Sequence, residues 1–142
     1  MDWKLELVLV PVTDVDRAKA FYVDKVGFAV DVDTVPAPGM RVVQMTPPGS
    51  ACSITIGEGL GDGMAPGSLQ GVHLVVDDIE AAHAGLVSRG AEPSQPFHFG
   101  PQGQTDGLHP ERATYGTFMT FSDPDGNGWM VQEVGHQPQG AA

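Results

Sequence analysis

The chain states one pattern twice. Residues 7–17, LVLVPVTDVDR, return as residues 71–81, GVHLVVDDIEA, at an offset of 64 that sets Val8 on Val72, Val10 on Leu74 and Asp14 on Asp78. Residues 45–57, MTPPGSACSITIG, have a counterpart in residues 121–133, FSDPDGNGWMVQE, with Pro48 over Pro124 and Ile54 over Met130. A copy of about 60 residues is too small to bury much of its own surface, so the two copies are expected to fold together with a cleft between them.

Each copy reads as strand, helix, then strands. Leu5–Val12 is rich in Val and Leu and alternates as a strand does. Thr13-x-x-Asp16 opens a helix over about 14–26 that Gly27 stops, and Asp77-x-x-Glu80 opens a second that closes near Gly90. Further strands are predicted near 28–34, 41–46, 51–57, 91–97, 117–122 and 128–134. A long irregular segment, His98–Gly116, carries His98, His109, Arg112 and Tyr115, side chains suited to gripping a polar organic ligand as a lid or rim. The expected organisation is one domain over 1–142, with units at about 3–59 and 71–135, a Gly/Pro-rich linker at 60–70 and a frayed tail at 136–142. His83 is expected on an exposed helix face.

Composition removes several function classes. A net charge of −11 makes nucleic acid and anionic membrane poor partners. No apolar stretch approaches the roughly 20 residues that span a bilayer, and MDWKLELVLV lacks the basic and small-residue signals of a leader, which points to a cytoplasmic protein. The single Cys52 reads as a buried spectator, and no G-x-S-x-G or phosphate-binding loop is present.

Two tandem βαβββ units with VPVTDVDRAKAFYVDKVGF, HLVVDDIEAAHAGLVSRGA and FSDPDGNGWMVQE resemble the vicinal oxygen chelate superfamily of glyoxalases, bleomycin-resistance proteins and ring-cleaving dioxygenases. The resemblance covers about residues 3–135. It implies an α+β fold whose tandem units form a curved mixed sheet around a central cleft, and a homodimer. It also implies a metal held at four positions, which here are Leu7, Ile54, Gly71 and Met130. None has a donor that Zn, Mg, Mn or Ni would accept, so neither metal nor other cofactor is expected at the usual place. Asp123, Asp125 and Asn127 read as turn-formers.

The expected site is an apolar cleft with a few polar anchors. Leu7, Leu9, Met130, Phe118 and Trp129 would supply area, while Gln44, His73, Arg112, Tyr115 and Gln132 would orient a small organic ligand. The bleomycin-resistance branch binds without transforming, so binding or sequestration is the favoured function. Whether the protein is an enzyme stays open. One alternative is a metalloenzyme, a lyase, isomerase or dioxygenase, with a displaced divalent metal on His73 and Glu133, helped by Gln44 or Glu6; it needs a bulge at GNGW to turn Glu133 inward. The other is a metal-free enzyme with His73 as general acid or base.

Overall fold

A computed structural model of the chain describes residues 1–61 and 63–135; the tail expected to fray, 136–142, lies outside the described residues. The protein is α+β and divides into two units. Unit 1 comprises Met1–Gln70 and Asp123–Asn127, and unit 2 comprises Gly71–Ser122 and the chain from Gly128 on. The linker and one turn of the second sequence copy thus belong to unit 1.

In unit 1, β1 (Leu7–Leu9), β2 (Ala29–Ala37), β3 (Met40–Thr46) and β4 (Ser53–Glu58) form a sheet in the order β1-β4-β3-β2. Helix α1 (Val15–Ala20) starts at Asp14, whose carboxylate accepts from Arg17 N, and its chain winds on as a π-helix, Phe21–Val26. Gly27, at φ 94°, ends it in a left-handed conformation that a side chain would resist. Val15, Ala18 and Tyr22 pack with Val43, Met45, Ile54 and Ile56 as the buried core of this unit.

The turn 123–127 locks onto the same unit through buried hydrogen bonds. Asp123 accepts from Tyr22 Oη (2.8 Å), Asn127 Nδ2 (2.8 Å) and the amides of Asp125 and Asn127. Asn127 Nδ2 also donates to Pro11 O, and Asp125 accepts from Thr13 and Arg17. Asp123 and Asn127 are therefore turn-formers, and their side chains fasten that turn to the π-helix and to the chain after β1.

In unit 2, β5 (Val72–Val76), β6 (Phe97–Gly100), β7 (Gly103–Asp106), β8 (Thr117–Ser122) and β9 (Gly128–Glu133) follow the order β5-β9-β8-β6-β7. This is the order of unit 1 with one extra edge strand. Helix α2 (Ile79–Ser88) is capped by Asp78, which accepts from the amides of Glu80 and Ala81. Ile79, Leu86, Met119, Phe121, Trp129 and Val131 are buried.

Three sequence expectations are corrected. The strand predicted near 91–97 begins only at Phe97, because Ser94 spends its hydroxyl and amide on Thr120 from outside the ladder. Half of the supposedly irregular 98–116 segment is the β6–β7 hairpin, turned at Pro101–Gln102. Cys52 is half-buried instead of buried. Among the described residues no helix is long and apolar enough to cross a membrane.

Candidate ligand-binding face

Strand residues alternate between faces, so pairing register assigns every side chain of unit 2 to α2 or to the opposite, far face. Trp129, Val131 and Glu133 pair with Val72, Leu74 and Val76, and Trp129 and Val131 also pair with Phe121 and Met119; these face α2. Met130 and Gln132 pair with His73 and Val75 on one side and with Thr120 and Phe118 on the other. Phe118 pairs with Phe97, and Phe97 with Asp106. The far face is thus His73, Val75, Met130, Gln132, Phe118 and Thr120, continued by Phe97, Phe99, Gln104 and Asp106.

Three phenylalanines make this face aromatic. Phe97 and Phe118 stack with ring centroids 5.7 Å apart, and Phe99 meets Phe118 edge-on at 5.3 Å. Phe99 remains 56% exposed, a position that burial against a ligand would improve. Ser94, Gln95, Phe97, Phe99, Gln104, Asp106, Thr120 and Met130 line a pocket of about 350 Å³, within the size range of small-molecule sites.

His73 sits at the β5 end of this face, exposed, with Nδ1 2.6 Å from Gly71 O. A carbonyl only accepts, so Nδ1 carries the proton and Nε2 is the acceptor of the neutral ring. Met130 and Gln132 share the face, as the sequence predicted, and Phe118 does too. Trp129 does not. It is 2% exposed on the α2 side, stacked on Phe121, because it neighbours Met130 in a strand that alternates without a bulge.

In unit 1 the face away from α1 carries Leu7, Leu9, Gln44, Ser53 and Thr55. Gln44 Nε2 donates to Ser53 Oγ, which also meets Thr46 Oγ1, and Thr46 donates to Asp31. The sequence pairing of Ile54 with Met130 is overturned. Leu9 pairs with Thr55 as His73 pairs with Met130, so Thr55 is the counterpart of Met130 and Ile54 points into the α1 core. A slip of one residue exchanges the faces. Leu7, Gly71, Thr55 and Met130 do not fit a divalent metal: two hydrophobic side chains, a glycine and one hydroxyl make no ligand set.

The residues proposed for a displaced metal are separated by the sheet itself. His73 is on the far face, whereas Glu133 is 1% exposed on the α2 side. Its Oε2 accepts from Ile79 N at the start of α2 (2.9 Å), and Arg112 clasps it with Nε on Oε1 (2.8 Å) and Nη2 on Oε2. Arg112 Nη1 continues to Glu80 (3.0 Å). Hydrogen bonding to Glu133 raises the Arg112 pKa above its ordinary value, so the guanidinium is a permanent cation. Arg112 is thereby a structural clasp for α2 and the loop after β7, and its donors are spent.

The same loop places Tyr115 N on Glu133 O (2.7 Å). Arg112 and Tyr115 both take positive φ, 50° and 62°, a conformation held against its cost by these bonds to Glu133. Tyr115 keeps an exposed side chain. His98 and His109 are structural: His98 Nδ1 meets Gly107 O, and His109 Nδ1 accepts from Glu111 N. His83, expected on an open helix face, is half-buried with a buried Nε2 that has no partner among the described residues. It lines a pocket of about 570 Å³ with Glu80, Gln95, Pro96, Asp106, Gly107 and Leu108. Among the described residues no three His, Cys, Asp or Glu side chains form a group that could hold a metal ion.

Two matched sheets with helix-capping aspartates define an α+β protein of duplicated units. The chain belongs to the Glyoxalase/Bleomycin resistance protein/Dioxygenase superfamily, whose family model matches residues 4–131. Among solved structures it is similar to TnmS3, an antibiotic binding protein from Streptomyces sp. CB03234, at 34% identity over 94% of this chain and 97% of that one, with a TM-score of 0.73. A glyoxalase/bleomycin resistance protein from the same strain is 35% identical over 92% and 100% of the two chains, with a TM-score of 0.70. A superfamily member from Sphaerobacter thermophilus DSM 20745 is 30% identical over 93% and 98%, with a TM-score of 0.72. A search of the curated proteins found no match.

Proposed function

We propose that the protein binds a small, largely planar organic molecule on the far face of unit 2 and holds it without a metal and without converting it. The observation that carries this is the exposed ring of Phe99, edge-on to half-buried Phe118 and lining a pocket with Phe97 and Met130. A sheet leaves such a surface exposed only against the hydrophobic effect, and an aromatic ligand would relieve it. Similarity to an antibiotic binding protein supports an antibiotic-like ligand class. His73 Nε2 and the Gln132 amide supply acceptor and donor beside the apolar floor. Cytoplasmic residence and a homodimer complete the proposal.

The test is a fluorescence titration with Nile red and a panel of aromatic antibiotics, in chelator and in added Zn, followed by chromatography of the recovered ligand. Saturable binding, indifferent to chelator, with ligand returned unchanged is expected. Turnover that His73→Ala abolishes would replace sequestration by acid/base catalysis, and binding that needs metal would overturn the metal-free reading.

A further inference from the structure

The far face of unit 2 is aromatic across β6 and β8 and carries one carboxylate, on β7. Asp106 is the direct cross-strand partner of Phe97, so its side chain rises beside the ring on the same face, at the separation of opposed strand residues, about 5 Å between Cβ atoms. The Asp106 carboxylate has no hydrogen-bond or ion-pair partner among the described residues. The basic residues of unit 2 are Arg89, at the C-cap of α2, and Arg112, which is committed to Glu133 and Glu80; neither lines either pocket.

The two pockets share Gln95 and Asp106 in their walls. A ligand ring lying over Phe97 and Phe99 would therefore bring its substituent to Asp106, and the larger pocket beyond holds Glu80 and His83. An aromatic face and a carboxylate reinforce one another for one ligand chemistry: a ring quadrupole attracts a cation and repels an anion, and so does the carboxylate. A neutral hydroxyl gains at most one hydrogen bond to the carboxylate without charge attraction, and an anionic carboxylate gains from neither.

We infer that this face selects planar aromatic molecules bearing a protonated amine, with Asp106 as the partner of the ammonium group. The inference rests on the reading of the face as the ligand site and adds its charge selectivity. Asp106 is exposed, so the pair is water-screened and the selectivity is moderate.

Three fluorescent probes with one ring system test it: 9-(aminomethyl)anthracene, 9-(hydroxymethyl)anthracene and 9-anthracenecarboxylate. Each is titrated near neutral pH at about 0.15 M salt, where a Debye length of about 8 Å screens the remote charges of an acidic chain. The cation should bind about five- to tenfold more tightly than the neutral probe, and the anion most weakly. Asp106→Asn should remove most of that preference, leaving only the weak pull of the ring quadrupole, and should change the neutral probe little. Asp24→Asn, which removes the same charge from unit 1, should preserve the preference. Equal binding of cation and neutral probe, or a preference that Asp106→Asn leaves undiminished, overturns the inference while the aromatic site stands. Failure of all three probes to bind overturns the site as well.

Discussion

Units 1 and 2 share a strand order and a helix position but differ in what they place on the face away from the helix. Unit 1 carries Leu7, Leu9, Gln44, Ser53 and Thr55 there, with Gln44 and Ser53 hydrogen-bonded to one another; unit 2 carries three phenylalanines, Met130 and an unpaired carboxylate. The helix-side faces, in contrast, are both closely packed hydrophobic cores. Packing against a helix fixes which residues the inner face accepts, whereas the outer face is free to follow function. A duplicated scaffold can therefore keep its fold while one copy specialises.

The units also anchor their helices differently, and the largest expected effects test that difference. Unit 2 relies on an ion pair, Glu133 with Arg112, at the start of α2. Glu133→Ala should lower unfolding free energy by about 3–5 kcal/mol in a urea titration, because it strands a guanidinium and an amide. Unit 1 relies on hydrogen bonds to Asp123, and Asp123→Ala should cost about 2–4 kcal/mol by leaving the Tyr22 hydroxyl and Asn127 amide unpaired. A midpoint unmoved by Glu133→Ala would show that the clasp is not what holds α2.

The next test bears on register. Ile54→Ala should destabilise by about 2–5 kcal/mol as a cavity in the α1 core. Thr55→Val should be neutral or stabilising by about 1 kcal/mol, since the Thr55 hydroxyl is buried with no partner among the described residues. The reverse pattern would restore the sequence pairing of Ile54 with Met130.

For binding, Phe118→Ala should weaken a neutral aromatic probe about tenfold, the loss of roughly 1.4 kcal/mol of ring contact. Leu9→Ala, on the equivalent face of unit 1, should change it less than about twofold, within the usual range for a residue off the contact surface. Equal losses would mean that both faces contact ligand.

The smallest effect is electrostatic and confined to unit 1. Hydrogen bonds from Arg41 and then Lys19 hold the Asp33 carboxyl well below the usual carboxylate range. Because the folded pKa is depressed, the stability it contributes is complete above the unfolded value near 3.9 and fades only as pH falls through the lower folded value. Carboxyl NMR should show Asp33 still ionised well below about pH 3.9, the value of an unperturbed aspartate. An ordinary Asp33 titration would dissolve the Arg41–Lys19 clamp.

The sequence determined what depends on neighbours along the chain. Thr13-x-x-Asp16 and Asp77-x-x-Glu80 announced the two helix starts to within one residue, the caps themselves being Asp14 and Asp78, because a capping carboxylate reaches amides two or three residues away; the DPDGN turn announced itself for the same reason. The family resemblance carried the βαβββ succession of each unit, to which unit 2 adds the edge strand β7. His73, Met130 and Gln132 were placed on one face because alternation within and between adjacent strands is regular.

Tertiary structure decided everything that hangs on pairing between distant segments. Sequence spacing aligned Ile54 with Met130, and a shift of one residue in β4 reversed the face, since a strand has a period of two. Trp129 looked like pocket area and is core for the same reason. The aromatic character of Phe97 and Phe99 was readable, but their meeting with Phe118 needed the β6–β8 pairing. Arg112 resembled a ligand anchor until the loop brought it to Glu133, a partner 21 residues away that no local pattern specifies. Local hydrogen-bond geometry is written in the chain; which carboxylate is buried beside which cation is chosen only when the sheet closes around them.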